Sequence, residues 1–82
     1  MRNLFELIKK LESVRPHDRK SRAALDVALE VLHAAEDAEV QAALEGGRES
    51  VGKLVNKFDV EESQANRAAI FIFYYGSVPD WC

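Results

Sequence analysis

Apolar residues recur near the start of the chain at the spacing of a helix. Leu4, Leu7, Ile8 and Leu11 fall at i, i+3, i+4 and i+7, which places them on one face, and Phe5 widens the stripe. Asn3, with Glu6 three residues on, gives this helix a capping-box start. Pro16 ends it, because proline disfavours helical geometry at Arg15 and has no N–H to donate. A second stripe opens near Asp18 and runs through Leu25, Ala28, Leu29, Leu32 and Ala35, with Val27 and Val31 extending it. The pattern permits one rod as far as Leu44. It also permits a break near Asp37, which would cap a short third helix with Val40, Ala43 and Leu44 inward. The break is the expectation. Gly46 and Gly47 supply the stop in either case.

Val51, Leu54, Val55 and Phe58 predict a fourth helix over 49–58, weakened by Gly52. Asp59 stands three residues before Glu62, a cap-and-box arrangement that predicts the start of the last helix, and Gly76 and Pro79 end it. Acids at Glu61 and Glu62 suit the positive end of its dipole. Within it, Ile70 to Tyr75 is rich in β-formers and would read as a buried strand out of context. The upstream cap and Ala65, Ala68 and Ala69 favour a helix. Such a segment is apolar all round, so it must be central in the fold or shared with a partner. The expectation is an all-α domain spanning residues 1–82, a compact bundle of four or five short helices with the last one central. Its core should come mainly from Leu4, Leu7, Ile8, Leu11, Leu25, Leu29, Leu32, Leu44, Leu54, Val55, Phe58, Ile72 and Phe73.

Composition narrows the class. At 82 residues, with 48% hydrophobic and 30% charged side chains, the chain suits one small folded domain. Its longest apolar run, Ala68 to Tyr75, is far too short to span a bilayer, and no secretory signal pattern is present. The single cysteine, Cys82, excludes an internal disulfide and fits a cytoplasmic protein. The net charge of −3 hides an asymmetry. Residues 1–22 are basic, with Arg15, Arg19, Lys20 and Arg22 clustered, whereas residues 26–49 hold seven acids against Arg48 alone. The simplest expectation is that the two stretches pair with each other or are solvated. The alternative is that they attract a charged partner.

Catalytic patterns are missing. The serines lack a nucleophile elbow, and Gly46-Gly47 and Gly52 lack the lysine and hydroxyl of a phosphate loop. His17 and His33 are far apart, and one cysteine cannot complete a metal set, so neither metal nor cofactor is expected. His33 should be packed or half-exposed beside its apolar neighbours. Glu61 and Glu62 are adjacent on a helix and point apart, so they cannot share a proton. The chain is therefore expected not to be an enzyme.

Two kinds of binding remain. Phe58-Asp59, then Arg67-Ala68, then Phe73-Tyr74-Tyr75-Gly76 resemble the C-terminal part of a family of small helical immunity proteins of type VI secretion systems. The resemblance covers residues 54–76, and the chain departs from the family's pattern by being more apolar at Ile70 to Phe73. It implies an all-helical cytoplasmic inhibitor that occludes an effector degrading NAD and NADP. Phage-borne inhibitors of host systems share this size and character. For an inhibitor, the acidic residues Glu36, Asp37, Glu39, Glu45 and Glu49 are the first expected contact face, able to cover a cationic site on a protein target. The basic cluster Arg15, Arg19, Lys20 and Arg22 is the alternative, because cations at the start of a helix oppose its dipole and local stability does not explain them. A homodimer is expected if the aromatic helix or Trp81 is left open.

The second kind is DNA binding. Residues 54–70 match the apolar spacing of a helix-turn-helix, with Gln64, Asn66 and Arg67 able to read base edges. Against this stand Asp59 where the turn usually has glycine, and Glu61 and Glu62 where phosphates would lie.

Overall fold

The computed structural model describes residues 4–77, and these form five helices with no strand among the described residues. They are α1 (Leu4–Glu12), α2 (Arg19–Ala34), α3 (Asp37–Gly46), α4 (Arg48–Asn56) and α5 (Glu62–Gly76). The expectations placed on Asn3, Pro79, Trp81 and Cys82 lie outside the described residues.

Asp18 starts α2 as expected, its Oδ1 accepting from the Ser21 backbone N–H at 2.7 Å. The break after α2 is present, but Glu36, not Asp37, occupies the cap position of α3. Glu39 Oε1 accepts the Glu36 backbone N–H at 3.5 Å, so the box residue falls three positions after Glu36. Gly47 closes α3 and opens α4 with φ 93°, a conformation that favours glycine. Asp59 does not cap α5. It takes φ 54° in the turn after α4, and Glu61 is the cap residue.

One apolar core draws on all five helices. Of the residues expected there, Leu7, Ile8, Leu11, Leu25, Leu32, Leu44, Leu54, Val55 and Ile72 are buried. Leu4, Leu29, Phe58 and Phe73 are half-buried and pack against its edge. Val31, Val40 and Val51 are also buried, together with a set of alanines at 24, 28, 65, 68 and 69. Helix α5 is the hub: it packs on α1, α2 and α4. Phe5 departs from its expected place in the stripe and is exposed, with Lys9 Nζ 5.5 Å from its ring centroid.

Candidate binding surface

The basic cluster is set by the start of α2. Because Asp18 fixes the cap, Arg19, Lys20 and Arg22 fall in the opening turn, where no acid accompanies them. All three are exposed, as is Arg15 in the preceding connection. Among the described residues none of the four makes an ion pair, so these four are not paired with the acids of residues 26–49. The Ser21 backbone N–H, helped by the Ser21 hydroxyl, holds the Asp18 carboxyl below the usual carboxylate range, and the charges of Arg67 and Lys20 act in the same direction.

Tertiary packing adds a cation that sequence spacing could not place there. Arg67 of α5 donates from Nη1 to Ser21 Oγ at 3.4 Å, which brings its guanidinium to the basic turn of α2. Asn66, its neighbour, accepts at Oδ1 from Arg48 Nη2 of α4 at 3.4 Å. Between α2 and α5 lies a shallow groove of about 330 Å³ lined by Ser21, Asn66, Arg67, Ile70 and Phe71.

The outward face of α5 is the feature the sequence analysis missed. Ser63, Arg67, Ile70 and Tyr74 recur at four, three and four residues, and so share one side of the helix. Ile70 is 41% and Tyr74 63% exposed, whereas Ile72, on the opposite side, is fully buried. The segment is thus apolar all round in composition and two-sided in packing. Ser63 and Arg67 were the available signal, because polar residues one and two turns upstream mark the open face. Tyr74 meets Tyr75 edge-on at 5.1 Å, and Tyr75 stacks on Phe71 at 6.4 Å.

The acidic residues do not form one face. Glu36, Asp37 and Glu39 gather at the start of α3, whereas Glu45 and Glu49 stand either side of Gly47 at its far end. Asp37 and Glu45 are separated by about 12 Å along the helix. Glu39 is engaged with α4: Lys57 Nζ donates to its Oε2 at 3.0 Å, which is the first reason its carboxyl sits below the usual range. Glu36, Asp37, Glu45 and Glu49 are exposed. The acidic start of α3 and the basic start of α2 stand at opposite ends of α2, about 24 Å apart.

A second groove, of about 450 Å³ between α4 and α5, has Gly52, Ala65 and Ala69 among its lining, with Arg48, Glu49, Glu62 and Asn66 as its charged and polar members. Histidine and cysteine are absent from its lining, and no group of three or more metal-ligating side chains comes together among the described residues. His33 is exposed, not packed. No described helix is long and apolar enough to cross a membrane.

The helix-turn-helix elements fall partly into place. Asp59 adopts the left-handed backbone that its side chain was expected to tolerate less readily than glycine. Asn66 and Arg67 are exposed on α5 and Gln64 is half-buried, while Glu61 and Glu62 are exposed at the helix entrance. Compared with known family models, characterised proteins and solved structures, the chain has no significant match.

Proposed function

We propose that this chain is a small cytoplasmic protein-binding inhibitor that acts by covering a functional surface of its partner. The observation that carries the reading is the open face of α5, where Arg67, Ile70 and Tyr74 stand exposed side by side. Arginine and tyrosine with an aliphatic neighbour are the residue types that anchor protein interfaces. A standard interface takes about 800 Å² from each partner. The chain exposes 5369 Å², so such a contact is a modest fraction of it. Immunity proteins and phage-borne inhibitors are the settings in which a protein of this size does such work. The acidic residues are the secondary contact, since four of the five stay exposed while Glu39 is held by Lys57.

One observation favours DNA binding as a second reading: the positive φ of Asp59 between α4 and α5, with Asn66 and Arg67 exposed beyond it. Ile70 and Tyr74 on the same face, and Glu61 and Glu62 at the entrance, suit a phosphate-lined groove poorly. Affinity capture from the native host, with and without nuclease, separates the two. The inhibitor reading expects one protein recovered stoichiometrically in both samples. Recovery that vanishes with nuclease would transfer the function to nucleic acid.

A further inference from the structure

We infer that this chain forms a symmetric dimer through the groove between α4 and α5, with Gly52 of one copy against Gly52 of the other and Arg48 of each meeting Glu62 of its counterpart. The inference goes beyond the inhibitor reading. It also moves self-association off the aromatic face, because Ile70 and Tyr74 do not line this groove.

Gly52 lies in the interior of α4 without a left-handed backbone, a position where glycine is less favourable than alanine. Packing within the chain does not require it, since a Cβ there would meet nothing within 4 Å. What the missing side chain permits is the close approach of another backbone from outside. The groove beside it holds about 450 Å³, and Ala65 and Ala69, both buried, are the apolar side chains of its floor.

The charges of the groove point to a second copy as the occupant. Arg48 starts α4 and Asn56 ends it, about 12 Å away, with Gly52 midway between them. Glu62 opens α5 at the Asn56 end. Arg48 already reaches over the groove to Asn66, one turn along α5 from Glu62, yet among the described residues neither Arg48 nor Glu62 makes an ion pair. A two-fold axis that lies in the interface, crosses the groove and passes beside Gly52 reverses the direction of the second groove. It sets the Arg48 end of each copy on the Glu62 end of the other, so each unpaired charge meets its complement. Asn56 falls beside Arg48 under the same operation, and Glu49 has Lys53 one turn along its own helix. A groove with a single sign of charge, or with its glycine at one end, would not match itself in this way.

The test is sedimentation of the full chain from about 10 μM to about 1 mM, the range of weak to moderate dimers. A monomer–dimer equilibrium is expected. Gly52→Gln places a better helix former where the lone chain has open space. Its thermal midpoint in dilute solution should hold or rise, while the dimer weakens at least about tenfold. A glycine needed only by the fold would lose stability instead. The Arg48→Glu and Glu62→Arg chains should each stay monomeric alone and associate when mixed, because only the mixture restores both pairs. Both side chains are exposed, so these variants keep the fold.

A chain that stays monomeric up to about 1 mM overturns the inference. So does a dimer that survives Gly52→Gln, or charge-swapped chains that do not pair on mixing. A dimer abolished by Tyr74→Ser and untouched by Gly52→Gln would overturn it in favour of the aromatic face. Loss of the dimer assignment leaves the inhibitor reading standing, since host capture tests that reading separately.

Discussion

Gly76, the last residue of α5, lies so close to Leu44 of α3 that a methyl group on it would stand 2.7 Å from Leu44 Cδ2. Leu44 is buried, so it has little room to retreat. Overpacking of this kind costs about 1–3 kcal/mol, partly offset by the better helix propensity of alanine. Gly76→Ala is therefore expected to destabilise the fold by about 1–2 kcal/mol in urea denaturation. In a Leu44→Ala background the same change should become neutral or favourable, because the two sites share one space. Simple additivity of the two changes would show that they do not meet.

The two faces of α5 give a sharper contrast. Ile72→Ala removes a fully buried side chain and should cost about 2–5 kcal/mol. Ile70→Ala, two residues away on the exposed side, should stay within about 0.5 kcal/mol. Denaturation midpoints of the pair decide which side of the helix faces the core, and similar losses would contradict the packing described above.

That contrast marks the limit of what the sequence makes legible. Four of the helices follow from apolar spacing, and Asp18 is read correctly as a cap because an acid, a polar turn and a following stripe coincide there. Ile70 to Tyr75 defeats the same method, since six apolar residues in a row carry no periodicity of their own. The buried alanines at 24, 28, 65, 68 and 69 are underweighted for a related reason. A methyl side chain contributes little to a hydrophobic stripe, yet it lets neighbouring helices lie close. Glu36 and Glu61 displace Asp37 and Asp59 as cap residues because the connections settle one or two residues away from the best capping side chain. For the candidate surface, the basic residues of α2 were legible as a cluster. The arrival of Arg67 beside them depends on how α5 crosses α2, which no local pattern encodes.

Asp59 holds a left-handed backbone with φ 54° in the turn between α4 and α5. Asp59→Gly should leave stability unchanged or raise it slightly, because glycine adopts this region without steric cost. Asp59→Val should lower stability by about 1–2 kcal/mol, since a β-branched side chain crowds the backbone there. Thermal unfolding of the two variants reads the difference directly. A valine variant as stable as the glycine variant would mean that the turn takes another conformation.

Two carboxyl groups tie stability to pH. Asp18 and Glu39 lie below their ordinary values of 3.8 and 4.5, the first through the Ser21 N–H and the second through Lys57. A carboxylate whose folded value is depressed contributes stability that is complete above its unfolded value and is lost as the pH falls through the folded one. The thermal midpoint should therefore hold steady above about pH 5 and decline through the acid range below it. Asp18→Asn keeps an acceptor for the cap but removes the charge, so it should flatten part of that decline. Glu39→Gln should flatten a further part, and an unchanged profile in the double variant would place the acid sensitivity elsewhere.

Gly47 is the whole of the connection between α3 and α4, and Ala35 and Glu36 alone join α2 to α3. Three of the four chain-adjacent pairs pack on each other, α1 on α2, α3 on α4 and α4 on α5, while the most extensive packing joins α2 to α5 across the chain. Loops this short close in well under a microsecond, and all-helical topologies rich in local contacts reach the native state in microseconds to milliseconds. The run Ile70 to Tyr75 would be a hazard in any chain that left it waiting, because its β-prone side chains could zip against another copy. Here the helix is the safeguard. Coiled into α5, the segment spends its backbone hydrogen bonds within the helix and buries Ile72, so it offers no free strand edge to a second copy.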